Sequence, residues 1–355
     1  MAAPTLRSLA LAGGVSVCTV SRALRGHPKI GAETRDKIRG LALKMGYRVN
    51  PFVSSWMAHV RATKKNDSFQ GCLAVVDLHV TPLPLHRFTS PRRQLRGAEE
   101  RAREMGFKFE VFRTRYPDVN PARLAQILHS RGIAGVILPL SANIPRIDFP
   151  CEEFACVAIG RRLAEPAIQF ATSDQFATVL TACEEMAKLG YRRLGMALPS
   201  AVNRRVEGRF SHPYLGWQAS LPLRRRLPIF YYGEIIDEDE FMRWISRHRP
   251  DGFLCFDELD RKRHAPHELG PQEILRQNGI GPEEIGIATL DWCEETTQDW
   301  AGFDQRHDRV GAAAVELIAQ QIHRNERGLP KVPMGVIVEG VWHAGPTAPP
   351  RPGSR

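Results

Sequence analysis

The sequence predicts two structural units of different class, a small all-α unit at the N-terminus and a larger α/β unit after it. The chain has 355 residues, more than one small domain usually needs. Apolar residues recur with helical spacing through residues 5–46. From Cys72 onward, short apolar strands alternate with helical segments, which is typical of parallel sheets wound with helices.

Charge separates the two units. The whole chain has a net charge of +10. Residues 1–65 contain 12 Lys and Arg against 2 Asp and Glu, whereas residues 66–355 contain 37 of each sign. A compact basic module on a neutral body predicts a head that binds a polyanion. The alternative is a solvated basic tail, and the helix signals in the same residues argue against it.

Three short helices are predicted in the head. Gly13–Val15 interrupts the first, since glycine permits a tight turn, and Ser16 occupies the N-cap position of a second helix over Val17–Leu24. The third runs over Ala32–Met45. Inward-facing positions share helical spacing: Leu6, Leu9 and Ala10, then Val20 and Leu24, then Ile38, Leu41, Ala42 and Met45.

Two short helices joined by a glycine turn form a helix-turn-helix. The second helix presents small or cationic side chains on its outer side, namely Val17, Cys18, Ser21, Arg22 and Arg25. An arginine can bond guanine O6 and N7 together, and short side chains let a helix approach base edges. We therefore predict that this helix reads DNA in the major groove.

A further short helix is predicted after the head. Asn50-Pro51 provides a cap and a first-turn proline. Phe52–Val60, with the large apolar residues Trp56 and Met57, is too short to be a stable helix alone. Lys64–Ser68 is typical of a flexible linker.

Four segments of the head resemble the lactose/galactose-repressor (LacI/GalR) family: Thr5–Ala10, Gly14–Leu24, Glu33–Arg35 and Gly46–Pro51. The string Val-Ser-x-x-Thr-Val-Ser-Arg followed by Gly-Tyr-x-x-Asn-Pro is a highly specific combination. The resemblance implies a lambda-repressor-like headpiece, a hinge helix that enters the minor groove, and a two-lobed α/β core resembling periplasmic binding proteins.

The resemblance also implies DNA contacts for Thr5, Ser16, Val17, Cys18, Thr19, Ser21, Arg22, Arg25, Tyr47, Asn50, Trp56 and Met57. Val17, Cys18 and Arg22 match base-reading positions. Positions that touch phosphates or pack near them are Ser16, Thr19, Ser21 and Tyr47. Trp56 stands where the family usually has a leucine that wedges between base pairs, a step that kinks the duplex. The alternative is that Trp56 packs between paired hinge helices.

In the body, candidate strands are Cys72–Val76, Lys108–Phe112, Gly135–Pro139, Ala155–Ile159, Leu194–Leu198, Ile229–Tyr232, Gly252–Cys255 and Ile285–Thr289. Candidate helices are Pro91–Met105, Pro121–Arg131, Gln175–Leu189, Glu238–His248 and Arg309–Arg324. Four segments of the body resemble landmarks of the same family: Gly190–Gly195, Arg249–Gly252, Ala288–Asp291 and Val338–Gly340.

These landmarks give predicted boundaries. The DNA-binding domain covers 1–50, the hinge helix and linker 51–70, the core 71–345 and a Pro-rich disordered tail 346–355. Within the core, we expect one lobe at about 71–170 with 292–328 and the other at about 171–291 with 329–345.

An effector is expected in the cleft between the lobes, where strand ends converge. Asp291 matches a family position whose carboxylate binds effector hydroxyls, although a capping role is an alternative. Arg209, Arg161 and Trp217 are weaker candidates. Pro213 replaces the family's usual effector-binding arginine, so the sequence leaves the specific sugar open.

Three rival functions were weighed. An enzyme lacks support, since no Gly-x-Gly-x-x-Gly after a strand, Walker loop or His-Glu-x-x-His occurs. A solute-binding transport protein would favour a signal sequence, and we see none in the first residues. A nucleoid-type DNA binder would not require a two-lobed body.

We therefore expect a cytoplasmic regulator, a repressor that binds a palindromic operator as a homodimer under control of a sugar-like effector. The sequence indicates no metal, no cofactor and no membrane span. The seven cysteines form no Cys-x-x-Cys pair, so reduced, buried thiols are expected.

Overall fold

A computed structural model describes residues 6–24, 30–45, 71–79, 88–115, 120–139, 149–160, 165–233, 235–256, 269–324 and 326–352. The head contains α1 (Leu6–Gly13), α2 (Val17–Leu24) and α3 (Ala32–Lys44), which confirms the three predicted helices. Their shared core consists of Leu9, Ala10, Val20, Ala23, Ile38 and Ala42. The hinge and linker predicted at 51–70 lie outside the described residues.

The first lobe of the body is built on a six-stranded parallel sheet. Its strands are β1 (Gly71–His79), β2 (Phe107–Arg115), β3 (Ile133–Pro139), β4 (Ala155–Ile159), β5 (Gln169–Ser173) and β11 (Gly335–Val338), in the order β11-β5-β4-β3-β1-β2. Helices α4 (Thr89–Glu104), α5 (Pro121–Ser130) and α12 (His307–Arg324) belong to this lobe. Continuous apolar strands such as Cys72–Val76 are buried on both faces, as a helix-covered parallel sheet requires.

The second lobe repeats the plan. Its strands are β6 (Leu194–Pro199), β7 (Ile229–Tyr232), β8 (Gly252–Cys255), β9 (Gly286–Thr289), β10 (Ala301–Asp304) and β12 (Val341–His343), in the order β12-β10-β9-β8-β6-β7. Its helices are α6 (Gln175–Lys188), α7 (Ser200–Arg205), α8 (Ser211–Ala219), α9 (Glu238–His248), α10 (Pro271–Gln277) and α11 (Glu294–Thr297). Only β12 runs antiparallel to its neighbour among the strands described.

The lobe boundaries differ in detail from those expected. The strand β10 pairs with β9, so residues 301–304 belong to the second lobe rather than the first. The strand β11 pairs with β5, which places 335–338 in the first lobe rather than the second. Backbone pairing decides this membership, and strands of four residues carry too little sequence pattern to reveal their partners.

The expected disordered tail is wrong for residues 346–352. Thr347 Oγ1 donates to Ile287 O at 2.8 Å and accepts from Ala301 N at 2.9 Å, while Ala348 is buried. Arg351 donates to backbone oxygens of Asp251 and Glu284. Proline excludes these residues from helices, yet their side chains and carbonyls still bond to the ends of sheet strands. Residues 353–355 lie outside the described part.

The cysteine prediction is confirmed for the described thiols. Six of them are free and buried, namely Cys72, Cys151, Cys156, Cys183, Cys255 and Cys293. Across the described residues, none of the helices combines the length and the apolar character needed to cross a membrane.

Candidate DNA-binding surface and interlobe cleft

The start of α2 is fixed by its own N-cap. Ser16 Oγ accepts a hydrogen bond from Thr19 N at 3.0 Å and lies 2.9 Å from Thr19 Oγ1. This is the bond expected of a serine cap to the third helical residue, and it confirms the predicted role of Ser16. The cap fixes the direction in which α2 leaves the turn.

The helix α2 has a buried side and an exposed side. Val20 and Ala23 are fully buried against α1 and α3. Arg22 is exposed and Thr19 is half-buried. The backbones of Val17, Cys18 and Ser21 also lie on α2. An exposed arginine on a short, firmly packed helix suits insertion into a major groove.

Several predicted site residues cannot be placed. Thr5, Arg25, Tyr47, Asn50, Trp56, Met57 and Arg161 lie outside the described residues.

A pocket of about 290 Å³, counted with its open mouth, lies between the two lobes. The first β-sheet and the start of α6 contribute Gly160, Phe170, Thr172 and Gln175. The turn between α7 and α8 contributes Arg205, Val206, Glu207 and Arg209. The structure therefore brings the predicted Arg209 to the cleft. Asp291 and Trp217 do not line this pocket, and Trp217 packs against Tyr214 inside the second lobe.

Polar groups on the first-lobe wall of the pocket bond to one another. Thr172 Oγ1 donates to Gly160 O at 2.9 Å, and Gln175 Nε2 donates to Thr172 Oγ1 at 3.1 Å. The opposite wall is a tight turn in which Glu207 has a φ of 56° and Gly208 a φ of 77°. A left-handed glutamate costs about 1–3 kcal/mol and is often found at ligand sites.

Sequence reasoning missed several of these wall residues. Thr172, Gln175, Arg205 and Glu207 occur in segments without a family landmark. The Glu207-Gly208 pair between two helical segments could have indicated a turn, but nothing local indicates which strand ends it faces.

Asp291 lies in a different polar cluster, at the end of β9. It is 2% exposed, and both carboxylate oxygens have partners. Oδ2 accepts from Ser90 Oγ at 2.5 Å, and Oδ1 lies 2.7 Å from His307 Nε2. Burial alone would raise the pKa of Asp291, but His307, the Ser90 hydroxyl and nearby Arg93 outweigh burial and lower that pKa.

Arg93 forms a second cluster beside the first. Its guanidinium donates to Asp304 Oδ1 at 2.9 Å, to Asp308 Oδ1 at 3.1 Å and to Trp292 O at 3.2 Å. Arg93 is on α4 of the first lobe, whereas Asp304 and Trp292 belong to the second. A buried guanidinium with carboxylate partners of this geometry is strongly oriented.

At the rim, Glu295 on α11 accepts from Arg92 at 2.8 Å and from Arg96 at 2.6 Å. The hydrogen bond from Arg96 is the largest cause of a lowered Glu295 pKa, which burial partly opposes. These side chains are more exposed than Asp291, so water and salt screen the pairs.

Comparison with known proteins gives a match in the head. The model of "Bacterial regulatory proteins, lacI family" matches residues 5–50. The HTH-type transcriptional regulator PtxS of Pseudomonas plecoglossicida is 23% identical over 339 residues, which cover 91% of this chain and 90% of that protein. The HTH-type transcriptional regulator AglR of Rhizobium meliloti (strain 1021) is 28% identical over 194 residues, 54% of this chain and 51% of that protein.

Solved structures share the fold. A transcriptional regulator CelR–cellobiose complex superposes with a TM-score of 0.55 at 17% identity, covering 96% of this chain and 98% of that one. The Lac repressor dimer bound to operator and the anti-inducer ONPF superposes with a TM-score of 0.54 at 15% identity, covering 97% and 98%. The present chain therefore shares its fold with both structures over nearly its whole length.

Proposed function

Because the chain belongs to the lacI family of bacterial regulatory proteins and is a DNA-binding transcription regulator, we propose that it is a repressor. It binds a palindromic operator as a homodimer, and a small molecule in the interlobe cleft changes its affinity for that operator. The regulator acts in the cytoplasm, where operator DNA is located.

The observation that carries this proposal is the form of α2. The helix is capped by Ser16, buries Val20 and Ala23, and leaves Arg22 exposed. The surrounding residues 1–65 carry the whole positive excess of the chain. Phosphate attraction gives such a head general DNA affinity, and base contacts from α2 give it preference for one site.

Two heads are needed for a long site. One helix-turn-helix covers a half-site, and a two-fold dimer reads two half-sites arranged as an inverted repeat. The dimeric form of the matched Lac repressor supports the same assembly here. The segment 51–70 is proposed to link each head to its body as a hinge.

The effector is proposed to be a sugar or sugar derivative. Matched structures are named as complexes with cellobiose, with ONPG and with glucose. Arg209 and Glu207 on the second-lobe wall of the pocket can bond to hydroxyl groups.

Selection from a random double-stranded DNA library with the full-length protein tests the DNA-binding proposal. We expect enrichment of one inverted repeat. An unenriched library after several rounds, with the protein folded, would contradict sequence-specific regulation.

Thermal denaturation with a panel of monosaccharides, disaccharides and sugar acids tests the effector proposal separately. A ligand of the folded state raises the melting temperature by mass action, by an amount that grows with its concentration. Failure of every sugar, with success of another class of metabolite, would reject the sugar assignment while leaving the regulator intact.

A further inference from the structure

Asp291 connects the two lobes. The residue follows β9 of the second lobe, and its side-chain partners Ser90 and His307, together with the Gln94 that bonds His307, come from the first. Ser90 and Gln94 lie on α4, and His307 begins α12. We call this set of four residues the interlobe tie.

The hydrogen bonds of the tie converge on one carboxylate. Ser90 donates to Oδ2 of Asp291, and His307 Nε2 contacts Oδ1. Gln94 Nε2 lies 3.3 Å from His307 Nδ1. With the Gln94 amide donating to Nδ1, the imidazole carries its proton on Nε2 and donates it to Asp291. A continuous series of donors in the first lobe thus ends on an acceptor in the second.

The tie is sealed from water. The side chain of Asp291 is 1% exposed and that of His307 is 7% exposed. A buried carboxylate is stable only while hydrogen-bond donors surround it, and among the described residues the side chains that bond these two oxygens come from the opposite lobe. Moving the lobes apart would therefore require replacement of both partners by water or by a ligand.

The tie lies where the chain passes from one lobe to the other. The connection from β10 to α12 spans Asp304 to His307, and His307 is itself a member of the tie. Arg93 bonds to Asp304 before this crossing and to Asp308 after it. A small rotation of the lobes about this connection would change the distances in both clusters.

We propose that Asp291 is a conformational latch, which holds the lobes in the arrangement seen here, and that effector control operates by making or breaking the interlobe tie. The role of the tie in effector control rests on the proposed function. In this arrangement the Asp291 side chain is 1% exposed and each of its oxygens already accepts a hydrogen bond, so a ligand that takes its carboxylate must favour another arrangement of the lobes. A ligand shifts the two arrangements only by its differential affinity for them.

Distance measurement between the lobes tests the latch without DNA or effector. Spin labels are placed at two exposed positions, Gln126 on α5 and Ala219 on α8, in a Cys18→Ser background of the full-length chain, and labelled chains are mixed with an excess of unlabelled chains so that a dimer carries one labelled pair. The other cysteines are buried. With Ser90 and Asp291 intact, we expect one narrow interlobe distance by double electron–electron resonance. Ser90→Ala and Asp291→Asn should broaden it or add a second distance.

Matched controls separate loss of the tie from general loosening. Asp237→Asn removes the charge from the cap of α9 inside the second lobe but keeps an oxygen that can accept the Glu240 N–H, and Ser220→Ala removes a bond to Trp217 O within that lobe. Both should keep the narrow distance. If Asp291→Asn does not fold, the Ser90→Ala variant alone tests the latch, because it removes only one hydrogen-bond donor to Asp291. Unchanged distances in the tie variants, or equal broadening in the controls, would overturn the latch.

A second measurement links the latch to regulation. On the operator selected with the wild-type protein, Ser90→Ala should change affinity by about fivefold or more, which is the lower end of typical coupling between sites. Ser220→Ala should leave it unchanged. If the lobe distances change but the operator affinity does not, the role of the tie in effector control is rejected and the latch itself stands. A wild-type protein that selects no operator would reject the proposed function but leave the distance result intact.

Discussion

At the scale of single residues, Asp291 should make stability depend on pH. Its pKa in the folded protein is lowered by His307 and Ser90 despite burial. In the unfolded chain the Asp291 carboxyl has a pKa of about 3.9. As the pH falls, this carboxyl therefore takes up a proton in the unfolded chain before it does so in the folded protein. The contribution of Asp291 is present above that value and is lost as the pH falls through the folded pKa.

The prediction is that Asp291→Asn flattens the fall in free energy of unfolding below about pH 4. Urea denaturation at a series of pH values measures it. Asp237→Asn, which alters a solvent-exposed cap, serves as the control. An Asp291→Asn protein with the same acid-side slope as wild type would show that folding does not lower the pKa of this carboxyl.

Arg22 should supply specific rather than general DNA affinity. Arg22→Ala is expected to weaken binding to the selected operator by roughly 1–3 kcal/mol and to relax the preference at one base pair. Arg39→Ala, which removes another exposed arginine from α3 of the same head, should preserve that preference. Competition binding with operator and random DNA measures both. Equal losses on the two DNAs with Arg22→Ala would mean that this side chain contacts only phosphate.

Local sequence patterns predicted the roles of some residues but not the distant residues that bond to them. Ser16 could be predicted as a cap because the bonded groups are three residues apart. The partner of Asp291 on α4 is 201 residues away, and no local pattern indicates that pairing. Glu207 and Arg205 were missed for the same reason, since tertiary structure alone brings them opposite Thr172.

At the scale of elements, α4 and α12 touch through glycines. A Cβ on Gly311 would lie 1.9 Å from Gln94 O, and one on Gly97 would lie 2.0 Å from Asp308 O. There is thus no room for any side chain where the helices cross. This close approach positions Gln94 and His307 in the interlobe tie.

Gly311→Ala should lower the free energy of unfolding by about 1–3 kcal/mol, because the helices must separate to admit a methyl group. Gly216→Ala on α8 meets nothing within 4 Å and should be neutral or stabilising by up to about 1 kcal/mol. Urea denaturation of both variants provides the comparison. Equal stability of Gly311→Ala and wild type would contradict the tight crossing.

The C-terminal segment should stabilise the second lobe. Arg351 lies over the Tyr191 ring at 4.8 Å and bonds to carbonyls of Asp251 and Glu284, while Tyr191 donates to Pro349 O at 2.8 Å. Arg351→Ala removes these hydrogen bonds and the contact with the Tyr191 ring, and should cost roughly 1–2 kcal/mol.

Its control is Arg327→Ala, which removes an exposed arginine and should have little effect. Melting temperatures of the two variants measure the difference. A melting temperature of Arg351→Ala equal to that of Arg327→Ala would mean that the segment is only loosely associated.

Some four-residue strands were predictable from the sequence and others were not. The predicted Ile229–Tyr232 and Gly252–Cys255 match β7 and β8. The strands β10, β11 and β12 have three or four residues, and β11 is largely exposed, so neither length nor alternation identifies them. The pairing of β10 places residues 301–304 in the second lobe, and the pairing of β11 places residues 335–338 in the first, which is the reverse of the prediction for both segments.

At the scale of the whole molecule, a DNA-binding head precedes a body whose two lobes are joined by buried hydrogen bonds. The basic excess lies in the head, and the interlobe tie lies in the body. A change in lobe arrangement can reach the DNA only if the two heads of a dimer must be held at a fixed spacing. We therefore expect two copies of the chain to bind one inverted repeat together.

Footprinting combined with the measured mass of the protein–DNA complex tests that claim most directly. On the selected site, we predict symmetric protection of some ~14–20 base pairs, two chains per duplex, and much weaker binding to an isolated half-site. A single chain that protects one asymmetric half-site, with no gain in affinity from the second, would contradict the account.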